Sequence, residues 1–394
     1  MEVYTLDALF RRQYIIDQFI SLIWTERWQT YGDFELDLFS TVQARTILRP
    51  GTYLAMNQSN YVMRIESFED DRNADGGRIL KLKGRSMEAS LIDRAAKDST
   101  SDLTTSPKWN ITDAPAAVGR KIFHDICVTG ILDPADVIPG VVEGSFMPSS
   151  TIAEPVDPIT VNMDPTTVYD AIVNNVLNPW ELGMRMLRDD ATGLFYFEIY
   201  AGSDRTSINP TGLTAVIFSQ DLDNLQNTKE LTTIDKSKNV AYVFSPAGFE
   251  KVYPVDVDPT VEGFERRVLM VDASDITTTS TTDVPSALIQ RGKEALAAAR
   301  TFLGFDGEIS QNCPYKYGVD YNLGDLVEEH NDDGVASDMR VTEQIFVSDS
   351  QGDRSYPTLV TNITINSGSW MSWTSNKAWF DFDTDATSVW GNQP

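Results

Sequence analysis

Short runs in which apolar and polar side chains alternate recur along most of this chain, and that period constrains the fold more than any other feature. Phe34-Glu35-Leu36-Asp37-Leu38-Phe39 is the clearest run, with the period of a strand buried on one face. The aromatic-rich stretch 21–28 precedes it across Gln29-Thr30-Tyr31-Gly32-Asp33. Ile16, Ile20, Trp24 and Trp28 also recur every four residues, as on a helix. The Gly-containing loop between two aromatic-rich runs favours a β-hairpin. Residues 61–68 alternate again, with Tyr61, Met63, Ile65 and Ser67 on one face and Val62, Arg64, Glu66 and Phe68 on the other. Joined to 79–83 by the polar loop 69–77, they predict a second hairpin. Further strands are predicted at 52–56, 184–187, 194–200, 215–218, 240–244, 267–271, 325–329, 340–348 and 358–365.

Helices are few. Ser86 is positioned to cap one carrying Met87, Leu91, Ile92 and Ala95 on one side. Val118, Ile122 and Ile126 define another over 116–129, opened by Pro115 and closed by Gly130. Val168, Ile172, Val173 and Val176 mark a third over 166–177. Asp283 and Pro285 open the longest, whose face runs through Leu288, Ala295, Leu296, Ala299, Phe302 and Leu303 until Gly304 stops it. Residues 132–165 hold Pro134, Pro139, Pro148, Pro155, Pro158 and Pro165, which forbids a long helix and predicts an extended excursion. The sum is an α+β, mainly β chain and not a doubly wound sheet.

With 394 residues, the chain is long enough for several cores. Its 32 Lys and Arg against 58 Asp and Glu leave a formal charge of −26, which argues against phosphate-neutralising nucleic-acid binding unless a local basic patch exists. The densest basic runs are only Arg11-Arg12 and Arg266-Arg267. Two cysteines, Cys127 and Cys313, exclude a disulfide framework. No basic leader and no apolar run long enough to span a bilayer stands out, so the expectation is a chain made in a cytoplasm without a membrane anchor.

Reactive motifs are weak. Asp71-Arg72-Asn73-Ala74-Asp75-Gly76 matches half of a calcium loop, but the twelfth position is Leu82 where a bidentate Glu is needed, so a polar hairpin loop is expected. His124 and Cys127 lie three apart on a predicted helix, more in keeping with a packed His beside a buried Cys than with a catalytic pair. His330 sits among Glu328, Glu329, Asp332 and Asp333, the pattern of a solvated loop. Asp189-Asp190 and Asp332-Asp333 are adjacent acids of the kind that solvated turns carry. No phosphate-binding, zinc-protease or nucleophile-elbow motif occurs. The expectation is a protein without catalytic residues, metal or cofactor. Four tryptophans, Trp370, Trp373, Trp379 and Trp390, crowd the C-terminal segment without a core period, and are candidates for docking on a partner or on their own domain.

Five segments in order carry a resemblance. They are Ser21-Leu22-Ile23-Trp24-Thr25-Glu26-Arg27 with Gly32-Asp33-Phe34-Glu35-Leu36; 61–71 with Gly76-Gly77-Arg78 and Leu82-Lys83-Gly84-Arg85-Ser86; Phe218-Ser219 and Asn224-Leu225 with Asn239-Val240-Ala241-Tyr242-Val243; Glu265-Arg266-Arg267 with Val271-Asp272-Ala273-Ser274-Asp275; and Tyr321-Asn322-Leu323-Gly324-Asp325-Leu326-Val327. Over residues 1–355 the chain resembles hub-type minor tail proteins of siphophages, the actinobacteriophage tail-tip family. That family is similar to the contractile-phage baseplate hub and to the N-terminal part of tail-associated lysins.

The resemblance implies two β-barrel-type domains with α/β inserts. It divides the chain into a first barrel at 1–100, an insert at 101–210, a strand-rich connecting block at 211–282, a helix plus second barrel at 283–360 and a Trp-rich tail at 361–394. It further implies a homotrimer at the tail tip that meets the distal tail protein ring and the tape-measure protein, adapts sixfold to threefold symmetry and lets DNA pass. Three copies, each at −26, would line such a passage with acids that repel phosphates. No family catalytic residue maps onto this sequence. Two rivals stand beside this reading: a carbohydrate-binding tail protein that uses its aromatics as platforms, and a wall hydrolase that uses an acid pair.

Overall fold

The computed structural model describes residues 1–72, 77–98, 108–233, 237–254, 261–274, 276, 284–297, 299, 302–310, 313–330 and 336–361. The chain is mainly β, with few helices. It divides into two compact units. One comprises Met1–Leu231 and Leu303–Thr361; the described elements of the other lie between Thr232 and Phe302.

The first unit is organised by a thirteen-stranded sheet. Its main path runs Leu225–Thr233, Phe302–Ile309, Gly352–Thr361, Ala336–Asp349, Ser21–Arg27, Asp33–Phe39, Arg78–Ser86, Val62–Arg72, Tyr53–Met56, Val3–Leu6 and Arg12–Ile16, with Leu326–His330 and Ile217–Ser219 branching from Ala336–Asp349. The predicted hairpins form as antiparallel ladders, Trp24 opposite Phe34 and Phe68 opposite Leu82. The helical alternative for 16–28 is thereby excluded. Strands from the start and the end of the chain meet where Phe346 pairs with Trp24. The path ends in two edge strands, and closure into a barrel is not seen among the described residues.

One face of this sheet is dry. Leu22, Trp24, Phe34, Leu36, Met63, Ile65, Leu82, Val341 and Leu359 are buried in a common core. The other face carries ion pairs between neighbouring strands, including Lys83–Glu35 and Arg85–Glu66 at 2.8 Å and Lys81–Asp71 at 3.0 Å. Alternation explains both faces, but not in strict phase. A bulge between Ile65 and Ser67 inserts a residue into Val62–Arg72. It returns Phe68 to the side of Met63 and Ile65, where it packs half-buried against the core, rather than on the Arg64 face that strict alternation predicts.

A second core lies under the inserted segments. Pro115–Phe123 is an α-helix that continues through His124–Thr129 with a wider turn and ends at Gly130, whose φ of 67° places it in the left-handed region. Thr167 caps Val168–Ile172 by accepting from the Asp170 amide at 3.0 Å. These helices bury Val118, Ile122, Phe123, Ile172 and Val176 against the hairpin Gly183–Arg188 and Phe195–Tyr200. The proline-rich stretch forms no long helix, yet it is not a free excursion. Val141–Glu143 runs parallel to Phe195–Tyr200, and Ile159–Met163 pairs with Trp109–Asp113. Met87–Asp93 is a 3-10 turn followed by the short strand Ala95–Ala96, so Ala95 is exposed and Ala96 takes the buried position.

In the second unit, Val240–Ser245 pairs with Gly248–Val252 on one side and with Val268–Asp272, in parallel, on the other. The helix Val284–Ala297 covers one face, burying Ala287, Leu288 and Leu296 with Ala241, Val243 and Val252. It ends before Phe302, Leu303 and Gly304, which begin the strand Phe302–Ile309. The helical spacing predicted through Leu303 fails there because Leu303 and Gly304 pair with Thr361 and Val360, a distant ladder that overrides local period.

Candidate functional site

The reactive candidates of the sequence resolve into structural roles. Cys127 is fully buried, and burial pushes its thiol up to about 12, which keeps it a neutral packing group at ordinary pH. His124, on the same helix, turns outward and pairs with Glu143 at 3.2 Å. It borders a surface recess with Arg120, Val141, Phe197 and Glu198, where Arg120 in turn pairs with Glu154 at 2.7 Å. His330 pairs with Glu328 at 3.1 Å. Asp190 is held by Arg12 and Arg188. Asp189 accepts from the Ala191 amide and the Thr192 hydroxyl, bonds that hold its carboxyl below the usual range. Two neighbouring acids so engaged are turn and bridge residues, not an acid–base pair. Asp71 lies on a strand and binds Lys81. Among the described residues no group of three His, Cys, Asp or Glu side chains is placed to hold a metal ion. Asp332, Asp333 and Trp370, Trp373, Trp379 and Trp390 lie outside the described residues.

The concentrated chemistry of the first unit is a buried polar seam. On Ser21–Arg27, Trp24 and Glu26 project to the same dry face. Glu26 is fully buried; its carboxyl accepts from Trp24 Nε1 at 3.1 Å and from the Tyr317 hydroxyl at 2.7 Å. Burial outweighs those bonds and raises Glu26 to about 7. Glu88, also buried, accepts from the Met186 amide at 2.6 Å and is likewise raised by burial. Arg185 binds Glu198 at 2.6 Å and lies 3.9 Å from the Tyr200 ring centre. Asp325 accepts from the amides of Ser203 at 2.7 Å and Asn322 at 3.0 Å, and burial pushes it up to about 6.

This seam joins the first and fifth motifs of the sequence. Gly324 needs its left-handed φ of 85°, and a Cβ there would come within 2.6 Å of Trp28 Nε1. Gly183 is tighter: its Cβ would lie 2.0 Å from the same indole. The other motif residues are clamps. Asn224 accepts from the Ser219 amide at 2.8 Å and donates to the Ile217 carbonyl at 2.7 Å. In the second unit, Asn239 accepts from the Arg267 amide at 2.8 Å and donates to the Glu265 carbonyl at 2.7 Å. These groups lock loops to strands and present nothing reactive to solvent. The sequence reading singled out no member of the seam for its chemistry. The available signal was an acid, Glu26, in register with Trp24 on an apolar face.

The fold recurs in solved tail proteins. The tail protein from Neisseria meningitidis MC58 is similar in structure, with a TM-score of 0.57 at 13% identity over 92% of this chain and 96% of that one. The 43 kDa tail protein of prophage MuSo2 from Shewanella oneidensis is similar at a TM-score of 0.51 and 12% identity, covering 92% and 97%. No curated protein matches in sequence. The family model for the Siphovirus ReqiPepy6 Gp37-like protein matches residues 1–359, and the chain belongs to that family. Among the described residues no helix is long and apolar enough to cross a membrane.

Proposed function

We propose that this chain is a structural component of a siphophage virion: the tail-tip hub, present as a homotrimer. It would close the tail tube, adapt the sixfold distal tail protein ring to a threefold tip, contact the tape-measure protein and let DNA pass at ejection. The observation that carries this reading is the family match over 1–359, joined to a tail-protein fold over 92% of the chain. The character of the molecule supports it. The chain carries a net charge of −26, which disfavours adhesion of DNA phosphates.

Gold-labelled antibody against this chain, applied to intact particles, tests the reading. Label at the tail tip with three copies per particle is expected. Label absent from particles, or on side fibres as a sugar-binding protein would give, overturns it. Replacing surface acids by their amides is expected to slow DNA ejection; unchanged kinetics would remove the electrostatic part.

A further inference from the structure

Among the described residues, the three-stranded sheet of the second unit is covered by a helix on one face only. Residues paired across its ladders share a face. Phe244 is opposite Phe249, and Tyr242 lies between Lys251 and Met270. All five belong to the face turned away from the helix. Phe244 is 40% exposed, Phe249 52% and Met270 64%. The face is also cationic: Lys251 Nζ lies 5.6 Å from the Tyr242 ring centre, and Arg266 Nη2 donates to the Tyr242 hydroxyl at 3.1 Å. Among the described strand residues, Asp272, opposite Phe244, is the acid of this face, and it is engaged by the Ser274 amide at 2.9 Å. An aromatic surface with two cations is out of character in a chain of net charge −26.

The same chain carries a segment of matching chemistry. Residues 362–394 follow the last described strand and contain Trp370, Trp373, Trp379 and Trp390. Between the last two runs Phe380-Asp381-Phe382-Asp383-Thr384-Asp385, in which aromatic rings alternate with acids. Fully extended, 33 residues reach about 110 Å, many times the width of three strands. Tethering also raises the local concentration of the segment far above that of a free partner. We propose that the C-terminal segment 362–394 docks on the open face of its own chain's three-stranded sheet. Its rings would pack on Phe244, Phe249 and Met270, and Asp381, Asp383 and Asp385 would meet Lys251 and Arg266. The inference is independent of where the protein sits in a virion.

Zero-length carbodiimide coupling of the full-length protein tests it, with linked residues mapped by mass spectrometry on an equal mixture of light and heavy nitrogen-labelled chains. Links from Lys251 to Asp381, Asp383 or Asp385 within chains of one label are expected. Phe249→Asp, at an exposed position, is expected to reduce their yield at least fivefold while circular dichroism stays unchanged. Met270→Asp is the second variant, should the first disturb folding. The proposal is overturned if the segment's acids couple only to other lysines or to none. Links found only between light and heavy chains overturn it in favour of docking on a second copy. Undiminished yield in both variants overturns the role of the face.

Discussion

The Arg340 guanidinium lies 4.5 Å from the centre of the Trp28 ring, while its Nη1 donates to the carbonyls of Ala201 at 2.9 Å and Gly324 at 2.6 Å. One buried side chain thus fastens three segments far apart in sequence: the loop after Ser21–Arg27, the end of the hairpin strand Phe195–Tyr200 and the turn before Leu326–His330. Charge-assisted bonds to carbonyls hold it better than an ammonium would, because the planar fork donates and stacks at once.

Arg340→Ala is therefore expected to destabilise the first unit by about 3 kcal/mol, the usual scale for removing a buried, hydrogen-bonded cation. Arg340→Lys keeps the charge but loses the stacking plane, and is expected to cost about half as much. Urea unfolding midpoints followed by intrinsic fluorescence measure both. A Lys variant as damaging as Ala would place the energy in the stacking.

Gly183→Ala tests the packing around the same indole. Its Cβ would stand 2.0 Å from two Trp28 ring atoms and 2.9 Å from the Trp28 carbonyl oxygen, so the ring has to move. Overpacking of this kind costs about 1–3 kcal/mol. Gly51→Ala is the control: nothing lies within 4 Å of its Cβ, so only its φ of 93° is strained. The thermal midpoint is expected to fall further for Gly183→Ala, and the Trp emission of the folded state is expected to shift in that variant alone.

How legible these arrangements are in sequence depends on range. Hairpins such as Ser21–Arg27 with Asp33–Phe39 are written locally, because period-two alternation and a Gly-containing loop specify both strands and their join. The bulge after Ile65 is not, since alternation carries no mark of an extra residue. The pairing of Phe346 with Trp24 spans most of the chain, and no local period encodes it. The spacing of Phe302 and Leu303 fits a helix face, and a distant partner decides otherwise. At the candidate site, Trp28, Gly324 and Arg340 are individually ordinary. Only Glu26, an acid in phase with Trp24 and Leu22, announces a buried polar group.

Glu26 predicts a pH dependence with a definite sign. Its carboxyl is raised from 4.5 to about 7 in the fold, so folding favours the protonated form. The stability it contributes is complete below the unfolded value and is lost as pH rises toward and through 7. Asp325, raised to about 6, acts in the same direction over a lower window. Glu26→Gln keeps an acceptor for Trp24 and offers an amide to Tyr317, with no proton to lose. Relative to the parent, the variant is expected to gain about 3 kcal/mol between pH 4.5 and 8, by the linkage of a shift of that size. Denaturant curves at both pH values measure it; a constant difference would mean that folding leaves the Glu26 carboxyl at its unfolded pKa.

Thiol chemistry separates the two cysteines. Cys127 is fully buried with its thiol pushed up to about 12, whereas Cys313 is only partly buried. At pH 8 a disulfide reagent is expected to label Cys313 slowly in the folded protein and to leave Cys127 unmodified for hours, both reacting at once in denaturant. Rapid labelling of Cys127 in the native state would contradict its packing among Ile122, Phe123 and Ile126.

Asn239 isolates the second unit. It is 9% exposed, and its two bonds close the Glu265–Arg267 turn onto the start of Val240–Ser245. The turn delivers Val268–Asp272 into its parallel pairing, so losing the clamp loosens a strand and not merely a loop. Asn239→Ala removes two part-buried hydrogen bonds, a cost of about 2 kcal/mol. Asn239→Asp retains the acceptor for Arg267 but sets a carboxylate against the Glu265 carbonyl, so it is expected to be no better than Ala at pH 8 and better at pH 4. Hydrogen exchange reads this locally. Amides of Val240–Ser245 and Val268–Asp272 are expected to lose protection, while those of Asp33–Phe39 in the first unit keep theirs. Equal loss in both would show that the clamp supports the whole chain and that the second unit has no stability of its own.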